Sequence, residues 1–354
     1  LATTSLVAQS AQSWTLGPFI RAIDAPVITP NAKSVFTDPI TSQPVHWEAL
    51  HTFNPAAIVR DGKIYVLYRA EDDSGSMVIG MHTSRLGLAS SSDGVHFTTE
   101  PTPVFYPDND SQKDSEWPGG VEDPRLVESE GGTYVLTYTQ WNRRHTDIGV
   151  ATSTDLIHWT KHGSALVGKK YQALSYKSAS VVTQLVNGHL IAAKIHGKYW
   201  MYWGEVQVRL ATSPDLIHWT PVENSSGKAL VLLRNRPGHF DSAFPEVGPP
   251  SLRTDHGIVL IYNGKNAAVH GAPGIGAGAY SDGQALFSAE DPRKLLARTD
   301  TPFFKPEKPW EQSGQYAAGT TFAEGLVKFQ DKWFLYYGCA DSRVGVAVYD
   351  PKAP

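Results

Sequence analysis

The chain has 354 residues, 41% of them hydrophobic and 19% charged, with a formal net charge of −4. That is enough apolar material for a large core and too much for a disordered chain. The acidic balance argues against a nucleic-acid surface, the single cysteine, Cys339, rules out an internal disulfide or a cysteine zinc site, and no apolar run is long enough for membrane insertion as a helix.

Residues 1–15 start as "LATTSLVAQSAQSW", which is small, polar and uncharged. The segment reads as a disordered end or as a signal remnant, with A-Q-S like a cleavage region but no basic start or long apolar stretch. Export to a periplasm or the exterior is the expectation, with the cytoplasm as the alternative. Residues 16–354 read as one domain. In it, a polar or glycine turn followed by an aromatic, β-branched strand recurs: "DGKIYVLYRAED" from Asp61, "GGTYVLTYTQW" from Gly131, "NGHLIAAKIHG" from Asn187, "DHGIVLIYNGK" from Asp255 and "DKWFLYYGCAD" from Asp331. The starts lie roughly 55 to 75 residues apart. A second motif runs in step: "LASSSDGVHFT" from Leu88, "VATSTDLIHWT" from Val150 and "VRLATSPDLIHWT" from Val208, each a hairpin turning on S-x-D. "AYSDGQALFSAEDP" around Tyr280 is a looser copy and "GVAVYD" at Gly345 a truncated one. "AEDPRKLLAR" predicts one short helix or a turn. Five units of about four strands predict an all-β, five-bladed β-propeller; a large β-sandwich is the competitor, but it does not call for five matched units.

In a propeller the residues just after equivalent strands gather at one mouth of the channel. Taking the aromatic strands as the channel-lining ones, these are Arg69 to Asp72, Gln140 and Trp141, His196, Asn263 to Lys265, and Cys339 to Asp341. Such a rim is polar, carboxylate-rich and flanked by aromatics, which suits a sugar. The plain alternative is ordinary polar loop ends. His96, His158 and His218 fall inside the repeat, where packing is expected to explain them. There is no G-x-S-x-G elbow, H-E-x-x-H, Walker loop or dinucleotide glycine pattern, and "GAPGIGAG" (271–278) lacks a strand-to-helix frame. No cofactor and no metal cluster is read from the sequence.

Carboxylate chemistry remains. Glu122 and Asp123 stand in "GGVEDPRLVE", followed by Pro124 and Arg125; Glu205 ends "YWMYWGE"; Glu246 lies in "FDSAFPEVGPP". Acids held by aromatics and rigid turns can be desolvated, which raises the pKa and suits acid or base work. A capping or arginine-pairing carboxylate is the alternative for each. Trp117, in the polar loop "PDNDSQKDSEWPGG", is a candidate sugar platform, and Tyr280 a candidate substrate contact.

"FNPAAI", "YRAEDDSG", "SRLGLASSSDG", "GGVEDPRL", "GPPSLRTDHGIVLIYNG" and "YYGCADSRVGVA" follow one another from about residue 50 to the end, and together they resemble glycoside hydrolase family 130. The resemblance implies a five-bladed propeller acting on β-mannosides, either as an inverting phosphorylase or as a hydrolase of β-1,2-linked mannose. It implies that Asp123 is the catalytic acid, protonating the glycosidic oxygen through the sugar 3-hydroxyl. It also implies that Asn54, Arg69, Asp72, Arg85 and Asp341 hold the mannose, with Arg125 orienting Asp123 or its neighbour. Phosphorylases of the family carry a K-x-G-x-G-x-P-P stretch and Y-H-G; here "PEVGPPS" puts Glu246 near the expected cation and "YNG" puts Asn263 in place of the histidine. Added carboxylates repel a phosphate dianion, at several kcal/mol per like charge about 4 Å away in an intermediate dielectric, whereas water needs only a base. The expectation is therefore an inverting, exo-acting β-1,2-mannosidase on a β-mannoside oligosaccharide, with Glu205 or Glu246 as base and the order between them open. The rivals are a phosphorylase drawing cations from Lys177, His196, Lys198 or Lys265, and a catalytically silent glycan-binding propeller.

Overall fold

The computed structural model describes residues 13–353; the expected disordered or signal-remnant start falls almost wholly outside them. The described chain is built of strands, with only two four-residue α-helices, Lys113–Glu116 and Lys169–Gln172, and one short 3-10 turn, Pro309–Glu311. "AEDPRKLLAR" turns and then runs as the strand Leu295–Arg298 rather than as a helix.

The strands fall into five antiparallel ladders among the described residues. The first runs His51–Arg60, Lys63–Glu71, Ser84–Ser91, Thr98–Thr99. The second runs Gly120–Glu128, Tyr134–Trp141, Thr146–Ser153, Thr160–Ser164. The third runs Ala179–Val186, Lys198–Trp203, Val208–Ser213, Thr220–Pro221. The fourth starts with the split pair Phe244–Val247 and Ser251–Thr254, then Gly257–Lys265, Tyr280–Phe287, Leu295–Arg298. The fifth runs Thr321–Phe329, Lys332–Cys339, Arg343–Tyr349, and takes its last strand, Ile20–Arg21, from the start of the chain.

Alternation explains how the ladders pack. Successive residues of a strand point to opposite faces, and here both faces are apolar. Leu67, Leu86 and Leu88 of the first ladder meet Leu126, Leu136 and Tyr138 of the second. Val66 and Tyr68, on the other face, meet Val327, Phe334 and Tyr336 of the fifth. Equivalent clusters join the second ladder to the third, the third to the fourth, and the fourth to the fifth. Each ladder is thus sandwiched between two others, and most of the tryptophan and tyrosine bulk, such as Trp47, Trp203 and Trp219, is buried there.

Three expectations need correcting. The aromatic strands stand second in each ladder, and the strand before them is the innermost: Thr321–Phe329, His51–Arg60 and Gly120–Glu128 lie against one another. In the third unit the aromatic strand is "KYWMYW", while "NGHLIAAKIHG" supplies an extra hairpin, His189–Ala192, on the far half of Ala179–Val186. His196 therefore sits in the turn before that aromatic strand, hydrogen-bonded to the Glu290 carbonyl, and not at the mouth. The equivalent mouth residues are Gly204 and Glu205. The repeat histidines also differ from expectation. His96, His158 and His218 are exposed, each with Nδ1 2.7–2.8 Å from the carboxylate of Asp93, Asp155 or Asp215. They close the S-x-D turn, in which the serine hydroxyl and aspartate accept backbone N–H groups.

Candidate active site

A local irregularity recurs in three of the innermost strands. The pairing slips by one residue between Phe53 and Pro55, between Glu122 and Arg125, and between Ala323 and Gly325. The residues at the slips are Asn54, Asp123 and Glu324. A bulge re-aims the side chain it carries, and Asn54 and Asp123 accordingly have φ of 46° and 48°, in the left-handed region that asparagine and aspartate tolerate best after glycine. Asn54 Nδ2 donates to Asp123 Oδ1 at 2.8 Å. Gly338 makes room for this pair, because a Cβ there would stand 2.3 Å from Asn54 Oδ1.

Arg69 is the cation beneath Asp123. Its Nη1 donates to Asp123 Oδ1 at 3.1 Å, its Nη2 to Glu71 and Glu122 at 2.6 and 2.8 Å, and its Nε to the Ser84 hydroxyl at 3.0 Å. The guanidinium lies over the Phe53 ring. Arg125, on the strand that carries Asp123, donates to the carbonyls of Asp123, Val247 and Gly248 and stands 2.9 Å from Glu324. It thereby ties the acid strand to the segment immediately after Glu246.

The three expected catalytic carboxylates converge on one ammonium. Lys177 Nζ is 4.0 Å from Asp123 Oδ2, 3.6 Å from Glu205 Oε1 and 3.4 Å from Glu246 Oε1. Glu205 and Glu246 face each other across an antiparallel bridge, which is why residues so far apart in sequence share one site. Glu246 is fully buried; Oε1 accepts the Ser178 hydroxyl, and Oε2 has no hydrogen-bond partner among the described residues. The Glu205 side chain is about one-third exposed, at 32%. Tyr280 borders the group, close enough to feel the charges of Glu246, Lys177 and Glu205.

The acids are pushed in opposite directions. Burial raises the pKa of Glu246 against the pull of Lys177, and the neighbouring Glu205 adds to the rise. Burial acts on Asp123 too, but the charges of Arg69, Lys177 and Arg125 and the Asn54 hydrogen bond outweigh it and hold the carboxyl below its usual range. The sequence-based expectation of a raised pKa thus fits Glu246 and not Asp123 in the unliganded site. Half-buried Asp341, at the end of the fifth ladder's second strand, is pushed up to about 7 by burial and by Asp123 and Glu71, against the pull of Arg69. It belongs to the same charge network.

Three expected residues lie apart from this group. Arg85 points to the face of the sheet opposite Arg69, and its guanidinium is locked between Asp72 and Asp38 at 2.7 and 2.5 Å. Asp72, Arg85 and Trp117 line a separate cleft of ≈ 260 Å³ together with Arg143. Asn263 is also not free: Nδ2 donates to the Ala323 carbonyl at 3.2 Å and Oδ1 accepts the Ala323 N–H at 2.8 Å. It stitches the fourth ladder to the fifth beneath Glu246, its register partner. Of the cations considered for a phosphate, Lys177 is central, while Lys265 stacks near Tyr280, Phe244 and Tyr316.

Glu324 was missed in the sequence. It is fully buried, its pKa is pushed well up by burial, and Asp123 and Glu246 raise it further. A signal exists: "FNP", "EDP" and "AEG" occupy the same place in successive innermost strands, whereas the aromatic repeat falls on the second strands.

The profile of glycoside hydrolase family 130, described as beta-1,4-mannooligosaccharide phosphorylase, matches residues 27–352. The 1,2-beta-oligomannan phosphorylase of Thermoanaerobacter sp. strain X514 is 31% identical over 335 residues, covering 94% of this chain and 97% of that protein. One solved structure, described as "The GH130 family of mannoside phosphorylases contains glycoside hydrolases that target beta-1,2 mannosidic linkages in Candida mannan", is 53% identical, with TM-score 0.95 and 97% of each chain covered. A putative glycosidase from Bacteroides thetaiotaomicron VPI-5482 is also 53% identical, with TM-score 0.93, covering 95% of this chain and 97% of that one.

Proposed function

The chain belongs to glycoside hydrolase family 130, and we propose that within this family it is a five-bladed β-propeller that hydrolyses β-1,2-linked mannosides from the chain end with inversion. Five ladders that share cores with their neighbours support the architecture. The family's activity on mannosides supports the substrate class. The relatives point to two attacking groups: the curated one at 31% identity is a phosphorylase, whereas the structure at 53% identity is described in terms of hydrolases.

Glu246 carries the choice of water. It is buried, its pKa is raised, and one carboxylate oxygen has no hydrogen-bond partner among the described residues. A base poised near the working pH serves water well. A phosphate dianion would instead meet Glu205, Glu246 and Asp123 around a single ammonium already shared among them. In the proposed reaction Glu246 takes a proton from water as that water attacks the anomeric carbon from the face opposite the leaving oxygen. Glu205 and Lys177 orient the water. Asp123 delivers a proton to the glycosidic oxygen by way of the mannose 3-hydroxyl. Asp123 is ionised in the unliganded site; sugar hydroxyls entering between it and Lys177, the longest of the three contacts, weaken the charge that keeps it so. Arg69, Asn54 and Asp341 hold the sugar.

Substitution tests the assignment. Glu246→Gln keeps the shape and removes the base, so kcat on β-1,2-mannobiose falls by about 10²- to 10⁴-fold with KM little changed. A rise in KM with kcat unchanged would contradict the role.

A further inference from the structure

We propose that His51, Glu71 and His82 form a binding site for a divalent transition-metal cation, with zinc the first candidate. Their ligating atoms all lie within 4.8 Å of one another. His51 opens the innermost strand of the first ladder, Glu71 closes the strand beside it as its register partner, and His82 precedes the third strand. The fold therefore brings together three residues that are well separated in sequence.

The surroundings match what metal ligands need. His82 Nδ1 lies 3.0 Å from the Ser74 carbonyl, which can only accept, so Nδ1 carries the proton and Nε2 keeps its lone pair. His51 Nδ1 is 3.0 Å from the Ser342 hydroxyl, which leaves Nε2 for a metal. The two rings stand 6.1 Å apart and steeply inclined at 64°. The Glu71 oxygens accept from Arg69 Nη2 at 2.6 Å and Gln315 Nε2 at 3.0 Å. Such bonds orient a ligating carboxylate and leave each oxygen a further lone pair. Two cations act on His51, Arg69 and Arg343; Arg69 is already outweighed by Glu122 and Asp123 and Arg343 is partly exposed and donates to the Ser313 carbonyl, so an added dication relieves a surplus of buried negative charge. His51 is partly exposed, which gives an entry path. Two imidazoles and a carboxylate, with a position left for water, suit zinc or a neighbouring first-row ion rather than calcium or magnesium. A bound ion would clamp the first two strands and the 72–83 segment on the rim beside Arg69, and the site is independent of the glycosidase reading.

The test uses the full chain, stripped with a chelator and dialysed into metal-free buffer at pH 7.5. Calorimetric titration with zinc chloride should show about one tight equivalent, and thermal unfolding should move to higher temperature in its presence. Cobalt(II) should give the intense visible bands of a tetrahedral nitrogen–oxygen site. His51→Ala and, separately, His82→Gln, which retains a donor for the Ser74 carbonyl, should each abolish the tight equivalent while circular dichroism remains that of the parent. Binding should weaken in acid, where protons compete with the metal for its ligands. Absence of heat and of a thermal shift in the parent would overturn the proposal, as would an undiminished equivalent in the folded variants, which would assign binding to other histidines.

Discussion

Asp123 and Glu246 occupy one charge network yet differ in state, and cations account for the difference. Arg69 and Lys177 both reach Asp123, whereas Glu246 pairs with Lys177, feels a weaker pull from Arg125 and faces Glu205. Its raised pKa carries a signed consequence for pH. A base must be deprotonated to act, so activity is lost as pH falls through the raised value rather than through the ordinary glutamate value of about 4.3. The acid limb of kcat/KM should therefore lie at least one unit above about 4.3, and a limb at the ordinary value would contradict the assignment. The sequence made these acids legible because each stands in an unusual local frame of glycine, proline and aromatic residues. Lys177 had no such frame, and its place between three carboxylates follows only from the third ladder's approach to the fourth. Asp72 and Arg85 sat in convincing motifs too, but strand alternation turns Arg85 to the other face of the sheet, where Asp38, remote in sequence, completes its pairing.

Elements position these residues through one repeated device, the slip in the innermost strands. Hydrophobic patterning revealed the second strands clearly, since they carry the aromatic runs. The innermost strands were harder to read because their polar residues, Asn54, Asp123 and Glu324, interrupt the alternation that marks a strand. The third unit also misled, because its extra hairpin mimics the repeat while the true partner strand lies further on. The device has little spare room. Gly338→Ala places a methyl group against Asn54 Oδ1 and should destabilise the protein by about 1–3 kcal/mol. It should also lower kcat, because Asn54 is displaced from Asp123. Denaturant unfolding and steady-state kinetics on the same variant check both; unchanged stability and turnover would show that the Asn54–Asp123 contact is not constrained from the fifth ladder.

At the scale of the molecule, the fifth ladder depends on the first described strand. Ile20 and Arg21 complete the fifth ladder, and Arg21 grips buried Glu311 through Nε and Nη2, both at 2.7 Å. Arg21→Ala should cost about 3 kcal/mol, the low end for a broken buried pair, because the Tyr337 hydroxyl and two backbone N–H groups still reach Glu311. Chemical denaturation measures it, and a loss under about 0.5 kcal/mol, the range of ordinary surface substitutions, would show that this clasp does not hold the ladder. The all-β character and the aromatic strands were readable from the repeat; a strand of two residues was not, being too short to carry a pattern. Under the proposed function, the site delivers a glycosyl group to water and not to phosphate. Incubating the protein with β-1,2-mannobiose, with and without inorganic phosphate, and following the products by proton NMR tests it most directly. The prediction is α-mannose as the first product from the cleaved unit at equal rates in both buffers. Release of α-mannose 1-phosphate, with little mannose formed when phosphate is absent, would contradict it.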